Sequence, residues 1–475
     1  MQILKGLKPE KVFEYFEAIS AIPRGSGNTE KIRGYCADFA MQRNLKYICD
    51  DFGNIIIFKD SVKNESTEPV IIQGHLDMVW EKNDECNINF ETDGLELCVD
   101  SDFVSAKGTT LGGDDGIAVA MGLALLDSDD ISHPPLEIVF TSDEEVGMTG
   151  ANGIDCSVLN GKRMINLDSE AEGTLWVSCA GGVRADVALS VEYVENTKPA
   201  YEIIVSGLHG GHSGAEIHNG YRNANKVIGE LLGKLSEIIS FNIVDIGGGT
   251  ADNAITRYSR CVIAANENVE NIIKLISDEI KVSIKDTDPD TEITIHKIES
   301  DLNCMSDKST KAVISLLNDL PSGVVAMSRE IEGLVETSLN LGIMKCSEGC
   351  FHCSFSVRSG VDSEREKLTA RLKNTADNHS ASIRFYSAYP AWEYKKDSVL
   401  RDLMADVYKD IYGKEMTVTA IHAGLECGLF CGKIKGLDCV SFGPDIFDIH
   451  TPCEKLSISS TRRTWNYLLK VLEKL

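Results

Sequence analysis

The chain has 475 residues, 43% of them hydrophobic, and its formal net charge at pH 7 is −26. This length and apolar content predict a globular protein of about two to three domains. The acidic balance argues against nucleic acid and against an anionic membrane surface as partners, because both are bound by clusters of Lys and Arg.

Cysteine usage and targeting patterns lead to an expectation about location. The 15 cysteines lie at irregular spacings, and the first residues contain no signal-peptide apolar core. No apolar run in the sequence approaches the length that a bilayer requires. We therefore expect a cytoplasmic protein whose thiols are free in a reducing compartment.

The first 170 residues alternate helix and strand patterns. Helices are predicted after Pro9 and after Thr29, and a buried helix is predicted over 116–126. Short apolar runs that are typical of buried strands occur at 54–58, 70–72, 136–140 and 164–167. This alternation predicts an α/β fold with a mixed, largely parallel sheet flanked by helices, in which sites gather at the carboxyl ends of strands.

The pattern changes at about residue 190. Alternating stretches at 201–205 and 291–295 predict strands with one solvated face, and amphipathic helices are predicted over 223–240, 268–285 and 364–376. An apolar stretch at 436–442 and a final helix over 460–475 follow. We predict a first domain built from 1–190 and 389–475, with an α+β domain of residues 191–388 inserted into it.

His75 and Asp77 directly follow the apolar run at 70–72. An imidazole can bind a metal through one ring nitrogen while a nearby carboxylate holds the N–H of the other. The same pattern is also typical of a strand end with a hydrogen-bonded histidine. The interpretation therefore depends on whether further ligands exist.

Further acidic residues and a second histidine follow other predicted strands or a glycine pair. They are Asp114 and Asp115 after Gly112-Gly113, residues 143–145 after the run at 136–140, Asp168 and Glu170 after the run at 164–167, and His450 near the C-terminus. Taken singly, each is typical of a solvated loop. Gathered in one cleft, so many carboxylates would repel one another strongly unless a cation neutralised them, so together they predict a dinuclear metal site.

At this point the chain resembles the M20 metallopeptidase clan, in its Xaa-His dipeptidase branch. The resemblance spans almost the whole chain and rests on ordered motifs. They are GHLDMVW at 74–80, TTLGGDDGI at 109–117, EEVGM at 144–148, NLDSE at 166–170, GGHSG at 210–214, HAGLECG at 422–428, and His450.

The resemblance implies a metal-binding role for five residues. His75 and Asp168 would bind one divalent ion, Glu145 and His450 the other, and Asp114 would bridge the two. Histidine and carboxylate ligands without thiolates suit Zn²⁺, Co²⁺ or Mn²⁺, and we expect Zn²⁺.

The resemblance also implies how the metal site works. Asp77 would hold the ring of His75, and Glu144 would be the general base for attack by a metal-bridging hydroxide. The peptide bond between Asp114 and Asp115 would be cis, as is usual in this clan.

The inserted domain would form a lid and dimerise. His212 would stabilise the oxyanion in its own or a partner's site, and Arg358 would clamp the substrate's carboxylate, with a surface ion pair as the alternative. Asn253 would lie near the substrate and Glu426 near its amino end. Many relatives have lysine at the position of His209, to which we assign no role.

The reaction implied is the hydrolysis of unblocked dipeptides, of the Xaa-His type and more broadly. Related alternatives are a tripeptidase or an N-acyl amino acid deacylase. A metal-dependent binding protein without catalytic activity is an alternative of a different class. The sequence leaves open the side-chain preference, the native metal and the oligomeric state.

A group at Cys346, Cys350, His352 and Cys353 resembles zinc-finger spacing. However, 347–349 is typical of a hairpin turn, and the flanking residues alternate as strands do. We therefore predict two paired strands with free thiols rather than a structural zinc site.

Overall fold

The computed structural model describes residues 3–266 and 269–475. The chain forms two compact units. We call Met1–Ser178, Tyr394–Ala420 and Leu425–Leu475 the terminal unit, and Cys179–Glu393 with Ile421–Gly424 the central unit.

The terminal unit begins with two helices, which five strands follow before the next helix. Its elements before the central unit are α1 (Glu10–Ser20), α2 (Glu30–Gln42), β1 (Lys46–Cys49), β2 (Ile55–Lys59), β3 (Val70–His75), β4 (Leu97–Asp100), β5 (Phe103–Ala106), α3 (Gly113–Asp127), β6 (Leu136–Thr141), α4 (Thr149–Gly153), β7 (Arg163–Asn166) and β8 (Thr174–Cys179).

The central unit is richer in strands. Its elements are β9 (Gly181–Ser190), β10 (Tyr193–Val194), β11 (Ala200–Ser206), α5 (Ala224–Ser236), β12 (Asn242–Gly248), β13 (Ser259–Ala264), α6 (Glu270–Ile284), β14 (Glu292–Ile298), β15 (Cys304–Met305), α7 (Asp307–Asp319), β16 (Gly323–Met327), β17 (Val335–Ser347), β18 (Cys350–Ser359), α8 (Asp362–Asn378) and β19 (Ser382–Tyr389).

The last part of the chain supplies α9 (Val399–Tyr412), β20 (Thr417–Ile421), α10 (Glu426–Lys433), β21 (Asp438–Ser441), β22 (Ile446–Phe447), β23 (Lys455–Ser457) and α11 (Ile458–Lys474). In the described parts of the chain, none of these helices is both long and apolar enough to cross a membrane.

The main sheet of the terminal unit has the order β1-β2-β6-β3-β7-β21-β8-β20. Its central strands β6, β3, β7 and β21 are parallel, whereas β1, β2 and β6 pair antiparallel at one side and β21 pairs antiparallel with β8. All six residues of β3 are buried, which explains its continuous apolar start. The predicted α/β class with a mixed sheet is thus confirmed.

Helix α3 packs against β3 and α1. Every residue from Gly113 to Leu126 is buried, as the prediction of a buried helix over 116–126 requires. Because the helix begins beside the carboxyl end of β3, residues at its start reach the same edge of the sheet. This arrangement positions the candidate site.

The main sheet of the central unit has the order β14-β11-β13-β12-β17-β18-β9-β19, with β16 also paired to β17. Its core lies between this sheet and α5, α6, α7 and α8. The helices predicted over 223–240 and 364–376 correspond to α5 and α8, and the one predicted over 268–285 corresponds to α6, which begins at Glu270. The predicted first residue, Asn268, lies outside the described residues.

The unit boundaries differ from those expected at 190/191 and 388/389. The central unit begins at Cys179 because β9 pairs with β18 and β19 and so belongs to its sheet. It also includes Ile421–Gly424, a segment distant in sequence. The alternation of apolar residues in β9 did not indicate which sheet the strand would join.

Candidate active site

His75 is the last residue of β3 and is 1% exposed. Its Nδ1 lies 3.1 Å from the backbone oxygen of Asp77 and 3.4 Å from Oδ1 of the same residue. An N–H on Nδ1 can donate to either oxygen, which leaves the lone pair of Nε2 available for a metal. Nε2 faces Asp114 Oδ1 at 3.1 Å and Asp168 Oδ1 at 3.6 Å.

Asp114 lies at the start of α3 and is joined to Asp115 by a cis peptide bond, as the family resemblance implied. Its Oδ1 faces His75, whereas its Oδ2 lies 3.2 Å from Nε2 of His450. The carboxylate of Asp114 therefore lies between the two histidines and offers one oxygen to each.

The opposite side of the cluster is formed by His450 and Glu145. Nε2 of His450 lies 3.2 Å from both carboxylate oxygens of Glu145. His450 has a φ of +61° and its side chain is 44% exposed, so this side is the more open one. The side chain of Asp168, in contrast, is buried beside His75.

Potential ligand atoms converge at several points. In three groups of three residues, one potential ligand atom from each residue lies within 4.8 Å of the others. The groups are His75, Asp114 and Glu145; His75, Asp115 and Asp168; and Asp114, Asp168 and Glu170. The sequence-predicted ligands are thus brought together, and Asp115 and Glu170 lie with them.

Asp77 also organises the segment that follows β6. Its Oδ1 accepts the backbone N–H of Glu144 at 3.1 Å, and its Oδ2 accepts that of Glu145 at 3.3 Å. The hydroxyl of Ser26 donates to Oδ2 at 2.8 Å. One buried carboxylate therefore contacts the ring of His75 and holds both adjacent glutamates.

The electrostatics of the cluster reflect buried charges of one sign. Burial, together with neighbouring carboxylates, raises the pKa of Glu144 well above its usual value. Burial and the charge of Asp114 raise the pKa of Glu170 to about 8. Hydrogen bonds to Asp114 and Glu145 raise the pKa of His450 to about 10. The raised pKa values mean that these side chains retain protons, which reduce the repulsion between the buried carboxylates. A bound cation would reduce the same repulsion.

The chemistry of the donor set fits divalent metal ions. Two imidazoles and several carboxylates lie together, with short distances between atoms that can all act as ligands. Such nitrogen and oxygen donors suit Zn²⁺, Co²⁺ or Mn²⁺. The structure therefore supports a metal site at the carboxyl edge of the terminal sheet.

Glu426, predicted near the amino end of the substrate, is fully buried at the start of α10. Its Oε2 accepts hydrogen bonds from Gln73 Nε2 and Thr141 Oγ1, both at 2.6 Å. The side-chain amide of Asn166 donates to Oε1 of Gln73 at 2.6 Å. Glu426 thus belongs to a buried polar network that joins α10 to β3, β6 and β7, and burial raises its pKa to about 8.

His212, Asn253 and Arg358 all lie in the central unit. Nδ1 of His212 accepts the backbone N–H groups of Gly214 and Ala215 at 3.3 and 3.0 Å. These bonds place the ring proton on Nε2. Burial, followed by the charge of Arg358, lowers the pKa of His212, which favours the neutral ring. The side chain of Asn253 is exposed, and its backbone oxygen accepts the N–H of residue 213 at 2.8 Å.

Arg358 lies on β18 and is 9% exposed. Its Nη1 donates to the hydroxyl of Tyr389 at 3.0 Å, and its buried Nε has no hydrogen-bond partner among the described residues. No carboxylate in 3–266 or 269–475 forms an ion pair with Arg358. The surface ion pair given as the alternative role of this residue is therefore not formed by the described residues. Space for the ring of Tyr389 depends on two glycines, since a Cβ on Gly182 or Gly424 would lie 2.5 or 2.8 Å from it.

Two other sequence observations find structural explanations. Strands β17 and β18 form an antiparallel hairpin that pairs Cys346 with Phe351 and Met344 with Cys353, so the prediction of paired strands is confirmed. His209 lies against Asp288, with Nδ1 3.2 Å from Oδ1 of the carboxylate, and stacks on a tyrosine ring at 4.6 Å.

Sequence reasoning missed Arg24 and Glu454, which are both 2% exposed beside the cluster. Each makes several hydrogen bonds to the loops that carry the predicted ligands. The spacing of Glu454, four residues after His450, and the Gly112-Gly113 pair were the available indications. Neither indication reveals a buried contact between segments that lie 52 or more residues apart in the sequence.

Comparisons with known proteins give a family and a relative that covers the full chain. Residues 71–474 match the family described as Peptidase family M20/M25/M40. The cytosol non-specific dipeptidase of Escherichia coli (strain K12) is 33% identical over 482 residues, which covers 100% of this chain and 99% of that protein.

Solved structures show the same fold. The aminoacylhistidine dipeptidase of Vibrio alginolyticus superposes with a TM-score of 0.93 at 34% identity, covering 99% of this chain and 98% of that one. The aminopeptidase PepT of Bacillus cereus ATCC 10987 shares the fold, with a TM-score of 0.57 at 14% identity and coverage of 98% and 99%.

Fold and site together define a hydrolase of the metallopeptidase class. The chain belongs to peptidase family M20 and is a peptide hydrolase. The resemblance drawn from the sequence motifs is therefore confirmed.

Proposed function

We propose that the protein is a dinuclear metal-dependent dipeptidase that hydrolyses unblocked dipeptides, of the Xaa-His type and more broadly. The observation that carries the proposal is the position of Asp114, whose two carboxylate oxygens face different histidines. The names of the Escherichia coli and Vibrio alginolyticus relatives support the substrate class.

His75 and Asp168 would hold one ion, Glu145 and His450 the other, and Asp114 would contribute to both. Zn²⁺ is the expected metal. When bound, two such ions would polarise the scissile carbonyl and lower the pKa of water.

Glu144 is the proposed general base. Its pKa is raised by burial, and its backbone is held by Asp77. A carboxylate in this position can take the proton of the attacking water and return it to the leaving amine. The bond broken is the peptide C–N bond, and the products are two amino acids.

Residues of the central unit would bind the substrate. His212 would donate its Nε2 proton to the oxyanion, which agrees with the two N–H groups that occupy Nδ1. Arg358 would clamp the free carboxylate, and its buried Nε, which has no hydrogen-bond partner in the part of the chain that the structure describes, supports an anion as ligand. Asn253 and Glu426 remain predictions as substrate contacts.

We further propose a cytoplasmic homodimer that forms through the central unit, as the family resemblance implies. Light scattering should then give twice the chain mass of 51.9 kDa. Mixing H212A with E144A protomers tests whether His212 serves its own site or a partner's, because mixed dimers regain an intact site only in the second case.

Substrate profiling tests the function directly. Purified protein supplied with Zn²⁺, Co²⁺ or Mn²⁺ should cleave Ala-His faster than Ala-Ala-Ala or N-acetyl amino acids. Preference for Ala-Ala-Ala would indicate a tripeptidase, and preference for N-acetyl amino acids a deacylase. Protein that binds metal but cleaves none of them would contradict the proposal.

A further inference from the structure

Arg24 joins two loops of the terminal unit. Its Nη1 donates to the backbone carbonyls of Leu76 and Asp77 at 3.2 and 3.1 Å, and its Nη2 donates to the carbonyl of Gly112. The first two carbonyls directly follow β3, and the third directly precedes α3. One guanidinium therefore ties together the two segments that carry proposed ligands.

Glycines leave the space that this guanidinium occupies. A Cβ on Gly112 would lie 2.5 Å from Nη2 of Arg24, and a Cβ on Gly116 would also collide with it. Gly112 additionally has a φ of +64°, which favours glycine. Two glycines of the motif at 109–117 thus provide the space in which the guanidinium of Arg24 lies.

Glu454 holds the same loop from another direction. Its Oε2 accepts the backbone N–H groups of Leu111 and Gly112 at 2.8 and 3.0 Å. Its Oε1 accepts those of Gly113 and Asp114 at 2.7 and 3.4 Å. Four consecutive amides are therefore fixed by one buried carboxylate.

Glu454 is also linked to the second histidine of the cluster. It lies four residues after His450, and its backbone N–H donates to the carbonyl of Thr451 at 3.1 Å. The short turn from 450 to 454 therefore begins with the proposed ligand His450 and ends with Glu454, which binds the backbone amides of the Asp114 loop. Displacing Glu454 would disturb both.

We propose that Arg24 and Glu454 are positioning residues that hold His75, Asp114 and His450 at the spacing that two cations require. The inference rests on the proposed function for the identity of the ligands. It assigns the two residues a role in metal affinity, although neither of them offers a ligand atom in the groups described above.

Charge and geometry predict opposite effects at Arg24. Replacing it with methionine removes a positive charge close to Asp114 and Asp115, so electrostatics alone would tighten the binding of a cation. Loss of positioning would instead weaken it. R24M therefore separates the two explanations, and R24K, which keeps the charge but loses the fork of donors, should show a smaller weakening.

E454D provides the second test, because it keeps the charge but shortens the reach to the amides. Its matched control is E137D. Glu137 is 3% exposed in the same unit, and its carboxylate accepts the backbone N–H groups of Asn160 and Gly161. R43M is the control for R24M, since Arg43 contacts Asp127 and Tyr15 rather than the metal loops.

The measurement is the affinity of the full-length metal-free protein for Zn²⁺, by competition with a chromophoric chelator, with circular dichroism to confirm folding. We expect R24M and E454D each to weaken at least one of two Zn²⁺ sites about tenfold or more. Both controls should retain the wild-type affinities.

Wild-type affinity in folded R24M and E454D would overturn the positioning role and leave the metal site intact. Tighter binding by R24M would also overturn it, in favour of charge alone. Equal weakening in E137D would show a general effect of lost stability and would overturn it as well. Wild-type protein that binds no Zn²⁺ would overturn the proposed metal site itself.

Discussion

Asp77 contacts Nδ1 of His75 through both its backbone carbonyl, at 3.1 Å, and its carboxylate, at 3.4 Å. The ring proton is thereby held on the side away from the acidic cluster, and Nε2 is left facing Asp114. The orientation of the histidine is set by its neighbour two residues on, before any metal is considered.

Replacing Asp77 with alanine should weaken metal binding about 10- to 100-fold, because the ring of His75 loses its carboxylate and Glu144 loses its backbone anchor. Chelator competition measures the affinity. D288A is a suitable control, since Asp288 is a buried carboxylate of the central unit that accepts backbone N–H groups. Unchanged affinity in folded D77A would contradict the role of this contact.

Replacing Glu144 with alanine should lower kcat by at least about 100-fold while both metals stay bound, because the proton acceptor alone is lost. E144Q keeps the shape of the side chain and should be equally impaired. Steady-state kinetics and metal analysis of the same samples measure the two effects. A variant with near wild-type turnover would remove Glu144 from the mechanism.

Zn²⁺ should stabilise the folded protein. Ligands that bind the native state alone add about 2.7 kcal/mol per site at a free concentration of 100 times Kd. We therefore expect the thermal midpoint to rise with Zn²⁺ concentration and to fall again with chelator. D114A, which removes the carboxylate between the histidines, should lose most of this shift. A D114A midpoint that responds as in wild type would place the ions elsewhere.

The hydrogen bond between Tyr389 and Arg358 should affect recognition of the substrate's carboxylate. R358M should lower kcat/KM for Ala-His about 30-fold or more, and Y389F roughly fivefold through KM, since each loses charge-assisted bonding. For the amide Ala-His-NH₂, which has no free carboxylate, both substitutions should lower kcat/KM much less. Y386F is the control on the same strand, since Tyr386 contacts Asp186. Equal losses with the amide would refute a carboxylate clamp.

His422 should make the protein less stable in acid. Burial, followed by the charge of Arg358, lowers its pKa to about 3, and its Nε2 lies 2.7 Å from the hydroxyl of Ser338. The unfolded chain has a histidine pKa of about 6.5 and so binds a proton that the native state does not. Its contribution to stability is therefore present above about pH 6.5 and is lost as the pH falls towards 3, by at most about 1.4 kcal/mol per pH unit.

Urea unfolding at pH 7 and pH 5 checks this expectation. Wild type should lose more stability between the two values than H422Q, which has no imidazole to protonate. Parallel losses in the two proteins would show that the acid sensitivity arises from other groups.

Much of the fold could be predicted because burial imposes periodicity. The buried β3 and α3 have continuous apolar sequences, and the strands and helices predicted around them lie where expected within a few residues. The short strands β4, β5, β22 and β23 form a separate four-stranded sheet that the sequence did not indicate. They have two to four residues each, which is too few for a periodic pattern.

Some residues of the candidate site could likewise be predicted from the sequence, whereas others could not. Clusters of acidic residues and histidines could be found from their places after predicted strands and a glycine pair. The choice of His75, Asp114, Glu145, Asp168 and His450 within those clusters rests on the family resemblance and stays a proposal. Polar residues that act through long-range contacts could not be found in this way. Gln73, for example, is a polar residue at the end of an apolar run in the sequence. Its hydrogen bond to Glu426 joins residues 353 positions apart.

The sequence by itself determined the α/β class and the family, because these follow from local pattern and from ordered motifs. The proposed metal ligands follow from the resemblance to that family. Only the tertiary structure decided which oxygen of Asp114 faces which histidine. It also decided that Arg24 and Glu454 both bind the backbone of the loop that leads to Asp114, and that Glu426 is fully buried. Such relationships depend on contacts between distant segments, which folding creates and which no local pattern encodes.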